Sequence, residues 1–240
     1  MKAEEQTAED YLQGLGIGSV KFEPDGNIPP DFSVGSSTGV EVRRLNQNYF
    51  GEDGPKGLGE LSIPLWKILE KGASEFDNRF DDKSYWVFAK YRRPSRESGG
   101  ETAKSIRDSL EDFLGRGGQT PDEFTVNDHL KLTVYPSSPV QGRVFRLGGG
   151  IDRDSGGWLA PMYADNISYC IREKSLKIAP YEDRYDTWWL LLIDFIGWGI
   201  SDREESELRS MIPSLGRFDR VIVIDNQRGE LRLDLEDKAA

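Results

Sequence analysis

Between Phe32 and Leu45 apolar and polar side chains alternate with a period of two, and Gly35-Ser36-Ser37-Thr38-Gly39 interrupts the alternation once. A glycine-bounded break between two alternating runs predicts a β-hairpin, here with a five-residue loop. Pro29-Pro30 just ahead holds the backbone extended into Asp31. If Val34 pairs with Val40, Ser33 faces Glu41 and Asp31 faces Arg43. Strand side chains alternate, so Asp31, Ser33, Glu41 and Arg43 share one face, and Phe32, Val34, Val40 and Val42 share the other. The apolar face must lie on a core, which leaves two carboxylates beside a fixed cation on the opposite side. Such oxygens can hold Mg²⁺ for hydrolytic work. Equally, an acid opposite an arginine on a solvated face is an ordinary cross-strand ion pair, contributing ~0.2–1 kcal/mol.

The remaining periodicities alternate between helical and strand-like. Ala8, Tyr11, Leu12 and Leu15 form a helical stripe ahead of a brief strand at Val20 to Glu23. After the hairpin, Asn46 to Gly59 is a polar, glycine-rich loop, and Ser62-Ile63-Pro64 opens a helix carrying Leu65, Trp66, Leu69 and Phe76. Ser84 to Tyr91 reads as a buried strand. A helix through Ile106 and Phe113 follows, then strands at Leu130 to Tyr135 and Arg143 to Leu147. A helix with Ile167, Cys170, Ile171 and Ile178 carries Lys174 and Lys177 one turn apart, and the strongly apolar strand Trp188 to Asp194 succeeds it. Strands at Arg220 to Ile224 and Leu231 to Leu235 complete the pattern. The expected class is α/β, with a mixed central sheet flanked by helices. No linker divides the chain, so one domain is expected over 1–240, with a β-rich insertion at 116–160.

With 240 residues and 26 aromatic side chains, the chain can bury a large core although only 37% of it is apolar. Its formal charge of -11 repels phosphate backbones, so DNA or RNA would have to be held by a local basic cleft. Arg92-Arg93-Pro94-Ser95-Arg96 is the sharpest basic cluster, read either as a phosphate contact or as a solvated turn. The lone Cys170 excludes an intrachain disulfide and the lone His129 excludes a multi-histidine zinc site. Both are read as structural residues. Met1 to Asp10 has no apolar core and the run Trp188 to Ile200 is too short to cross a bilayer, so no membrane association and a cytoplasmic location are expected.

Pro30-Asp31, a spacer of nine residues and Glu41-Val42-Arg43 resemble the signature of the PD-(D/E)XK, or restriction-endonuclease-like, nuclease superfamily. The order helix, three strands, helix, strand over the first 90 residues or so is similar to the αβββαβ core of that superfamily. The resemblance implies Mg²⁺- or Mn²⁺-dependent phosphodiester hydrolysis, with Asp31 and Glu41 as metal ligands and a first-helix acid, Glu9, joining them. Arg43 stands where the motif has lysine, and arginine cannot take a proton from water. In some bacterial branches of the superfamily the basic residue lies on a neighbouring helix, which here implies Lys174 or Lys177. The alternative reading is a catalytically inactive protein of the same fold that binds a protein partner in regulation or defence.

Overall fold

Thr187–Asp194 is apolar at nearly every position, as a strand covered on both faces must be, and it lies inside a six-stranded mixed sheet. The computed structural model describes residues 2–52, 54–79, 82–155, 159–197 and 201–236, and residues 198–200 of the apolar run lie outside them. In chain order the elements are α1 (Ala3–Gly14), β1 (Val20–Phe22), β2 (Phe32–Val34), β3 (Thr38–Leu45), β4 (Asn48–Gly51), β5 (Gly54–Gly57) and α2 (Leu58–Ser74). They continue with β6 (Ser84–Tyr91), α3 (Gly99–Gly115), β7 (Asp122–Asn127), β8 (Leu130–Ser137), β9 (Phe145–Asp152) and α4 (Leu159–Ile178). After a 3-10 segment at Ala179–Arg184 come β10 (Thr187–Asp194), α5 (Asp202–Met211), β11 (Arg220–Asp225) and β12 (Leu231–Glu236). The α/β class is therefore observed. Among the described residues, no helix is long and apolar enough to cross a membrane.

Two compact units emerge where one domain was expected. The first combines residues 1–47 with 157–240, and the second is 48–156, so the inserted stretch begins far earlier than residue 116. The boundary was hard to see because 48–156 is not loop-rich decoration. It contains helices, strands and an apolar core of its own.

In the first unit the strand order is β1-β2-β3-β10-β11-β12. The β3–β10 and β10–β11 pairs are parallel, while β1–β2, β2–β3 and β11–β12 are antiparallel. Ala8 and Leu12 of α1 cover one face, against Phe32, Val40, Leu191, Ile193, Ile222 and Ile224. Tyr163, Ile167, Cys170 and Ile171 of α4, with Leu208 of α5, cover the other, against Leu45, Leu190, Leu192, Val221 and Val223. Fully burying side chains of this size contributes roughly 1.5–3 kcal/mol each relative to exposure, which is what holds both helix layers on the sheet.

The hairpin register corrects the sequence reading. The pairs are Phe32↔Val40, Ser33↔Gly39 and Val34↔Thr38, so the loop has shortened to Gly35-Ser36-Ser37 and Thr38 and Gly39 have joined the strand. Gly35 turns the chain at φ 61°, a left-handed conformation that glycine adopts without cost. Gly39 serves packing instead: a Cβ there would sit 3.1 Å from the Trp188 ring and 3.2 Å from Tyr185. The Thr38 and Thr187 hydroxyls, 2.8 Å apart, tie β3 to β10 at the same level. A slip of two residues preserves every face assignment, but it brings Asp31 towards Glu41 rather than Arg43.

The second unit has a four-stranded sheet of order β7-β8-β6-β9 and the small β4–β5 hairpin. Residues 46–59, expected to be a loop, thus contain a hairpin, and α2 starts a turn earlier than Ser62, placing Pro64 inside it. One face of the larger sheet packs Leu132, Val134, Val87 and Phe145 against Leu69, Phe76, Ile106 and Phe113 of the α2–α3 layer. The expectation that α2 and β6 complete the sheet begun by β1, β2 and β3 is therefore corrected. β6 pairs with β8 and β9, and the helix and strand that follow β3 in the first unit are α4 and β10.

Candidate functional site

α4 lies on the sheet face that carries the two acids, so the face read as solvated is roofed. Lys174 and Lys177, three residues apart, fall on the same side of the helix as Cys170, which packs into the core. Their stems run down to the strands and their ammonium groups meet the hairpin carboxylates. Lys174 Nζ donates to Glu41 Oε2 at 2.6 Å and lies 3.5 Å from Asp31 Oδ2. Lys177 Nζ donates to Glu41 Oε2 at 2.9 Å and Oε1 at 3.2 Å, and lies 3.7 Å from Asp31 Oδ1. The main-chain N–H of Val42 donates to Asp31 Oδ2 at 2.7 Å, fixing that carboxylate against β3.

Burial grades the four groups. The Glu41 side chain is 0% exposed and that of Lys174 13%, while those of Asp31 and Lys177 are 31% and 44% exposed. Glu41 is not the solvated partner of a cross-strand pair. It is a fully enclosed carboxylate whose charge is met by two ammonium groups, and without them enclosure would cost several kcal/mol. Burial works against the Lys177 ammonium, but its hydrogen bond to Glu41 and the charges of Asp31 and Glu41 together outweigh it, holding the lysine pKa above its ordinary value. Lys177 is accordingly a cation at neutral pH, able to stabilise charge and unable to accept a proton.

Arg43 faces the same side but does not pair with Asp31. Its guanidinium meets Glu173 of α4 and stands 5.1 Å from the Tyr169 ring centroid. The cleft outside the cluster has a volume of about 300 Å³ and is walled by Asp31, Val42, Arg43, Lys174 and Lys177, with Lys2, Glu4, Glu5 and Arg44 across it. Glu9 is not among these residues. It bonds Gln6 and Gln13 along α1, while Glu4 pairs with Arg44 and Glu5 caps the helix at Lys2. Glu5, which shares a helix face with Glu9, lies at this cleft in its place, and nothing in the sequence distinguishes the two.

Other sequence candidates have structural work. Arg93 is buried in the second unit, where it pairs with Asp152 at 2.7 Å and Asp154 at 3.4 Å and donates to the Leu58 carbonyl. Arg93 is therefore not part of a solvated turn. His129 Nε2 accepts from the Arg96 main chain at 3.2 Å. Burial pushes the Cys170 thiol up to about 11, which makes it inert at neutral pH.

As a metal site the geometry supplies two hard carboxylates, Asp31 and Glu41. Among the described residues, no group of three or more His, Cys, Asp or Glu side chains is placed to hold an ion. Two carboxylates nonetheless suit Mg²⁺, which keeps several waters and takes one or two protein carboxylates. The chain matches no family model, no curated protein and no solved structure in comparisons with known proteins.

Proposed function

We propose that the chain is a divalent-metal-dependent phosphodiester hydrolase of the PD-(D/E)XK kind. The observation that carries this reading is that Lys174 and Lys177 both reach Asp31 and Glu41, and that Asp31 and the two lysines wall a cleft with the enclosed Glu41 behind them. Passing over residues 48–156, the order α1-β1-β2-β3-α4-β10 has the αβββαβ sequence of elements that the hairpin motif led us to expect. The lysine missing from the motif would be supplied by α4.

Asp31 and Glu41 would hold Mg²⁺ or Mn²⁺. When bound, such an ion supplies a Lewis acid and makes its water more acidic. Lys174, the less exposed of the two lysines, would neutralise charge building on the scissile phosphate, and Lys177 would orient a phosphate oxygen at the cleft mouth. Val42 N–H keeps Asp31 beside the two lysines, and Arg43, held by Glu173 and Tyr169, stabilises anionic charge at the rim.

One observation favours a second reading, in which the site is inactive and the fold serves as a protein-binding module. Glu41 has no exposed surface and both lysines already neutralise it, an arrangement that is complete without an ion. Titration calorimetry with Mn²⁺ separates the two. Hydrolysis requires one ion bound by the wild type, lost in Asp31→Asn and Glu41→Gln, together with cleavage of DNA or RNA. A flat wild-type titration sinks the hydrolytic reading and leaves the binding module.

A further inference from the structure

Among the described residues of the second unit, helices cover one face of its larger sheet. Alternation along β6, β8 and β9 sends Trp86, Phe88, Lys90, Lys131, Tyr135, Arg146 and Ile151 to the other face. Tyr135 is 45% and Ile151 58% exposed. The three aromatic rings are arranged. Gly148 lets the Phe88 ring lie against the β9 backbone, since a Cβ there would fall 2.4 Å from that ring. Phe88 meets Tyr135 edge to face at 5.7 Å, and the Arg146 guanidinium stacks 3.9 Å from the Trp86 centroid. Phe88, Tyr135 and Gly148 to Ile151 border a groove of about 440 Å³.

Charge separates the candidate occupants. Lys90, Lys131 and Arg146 stand on this face against one strand carboxylate, Glu123, which Lys90 and Thr133 engage at 2.6 and 3.1 Å. A local positive balance in a chain of net charge -11 selects a polyanion. Exposed rings interleaved with cations add a preference for flat, unpaired bases, because paired bases within a duplex offer no face to stack on. We infer that this open sheet face is a binding platform for single-stranded nucleic acid, with Tyr135 and Phe88 stacking bases and with Lys131 and Arg146, the latter held against the Trp86 ring, contacting phosphates. The inference rests on residues of the second unit alone and does not require the hydrolytic reading of the first.

Fluorescence anisotropy of the full chain with labelled 16-nucleotide dT and rU strands, in EDTA so that nothing can be cleaved, tests it. The wild type should bind single strands more tightly than a duplex of equal length. Tyr135→Ala should weaken binding roughly tenfold, as loss of one stacked base implies, Tyr135→Phe should retain it, and Trp86→Ala, which removes the ring that holds Arg146, should also weaken it. Lys131→Glu should weaken it, whereas Lys104→Glu on α3, the same charge change away from the platform, should not. Circular dichroism confirms that each variant is folded, and Tyr135, being exposed, remains informative if Trp86→Ala is not. Absence of single-strand binding, equal binding of the duplex, or full affinity in Tyr135→Ala overturns the inference. A protein that binds strands in EDTA but takes up no Mn²⁺ keeps the platform and loses the hydrolase, and the converse result does the opposite.

Discussion

Lys174 is the residue on which the enclosed charge depends most. It reaches Glu41 at 2.6 Å from a position almost without solvent, whereas Lys177 answers the same carboxylate from a half-exposed one. Removing one partner of a buried pair leaves the other uncompensated, at a cost of about 3–5 kcal/mol, and the surviving Lys177 keeps the loss near the lower end. Lys174→Ala should therefore lower unfolding stability by about 3 kcal/mol in urea, while the double variant Lys174→Met with Glu41→Leu should recover most of it. Equal stability of wild type and Lys174→Ala would mean that Glu41 is not held as an ion. The family resemblance implied that Lys174 or Lys177 joins Asp31 and Glu41, but the residues by themselves did not. Two lysines near a helix C-terminus read equally well as surface charge favoured by the dipole, and only the roofing of β3 by α4 decides against that.

For the hairpin, parity was legible and register was not. Alternation assigns Asp31 and Glu41 to one face whatever the loop length, provided that the slip is an even number of residues, and so the face assignment survived a misplaced loop. Gly39 misled because glycine at the edge of a polar stretch usually marks a turn. Here it lies in β3 so that the Trp188 ring, from a strand far along the chain, can come within 3.1 Å of where its Cβ would be. Gly39→Ala should destabilise by about 1 kcal/mol through crowding of a ring that is only 2% exposed, visible as a lower midpoint in chemical denaturation. If the Gly39 variant matches wild type, the proposed reason for that glycine fails.

At the scale of the molecule, the order of elements was legible and their assignment to units was not. With residues 46–59 read as a loop, the sequence pattern offers helix, three strands, helix, strand through α2 and β6, whereas the folded chain inserts β4 and β5 there and gives that order within the first unit through α4 and β10. Local pattern gives no reason to prefer the distant pair. What decides is that β6 finds β8 and β9 nearby, whereas β3 finds β10, its parallel neighbour, beyond the whole second unit. Among the described residues, the core of 48–156 is built from side chains of that stretch, from Leu61 to Leu147. Expressed alone, that stretch should fold cooperatively, giving dispersed amide resonances and a single sigmoidal thermal transition. A collapsed, unstructured fragment would show that its core is not self-sufficient.

The pairing of β3 with β10, tied at Thr38 and Thr187 across 149 residues, also sets an order of events during synthesis. The hairpin bearing Asp31 and Glu41 leaves the ribosome long before the strand beside it and the helix above it exist. Meanwhile residues 48–156 can settle into their own shape. The nascent acids stay in water until α4 arrives with its cations, so the carboxylates and the charges that neutralise them are enclosed in one late step.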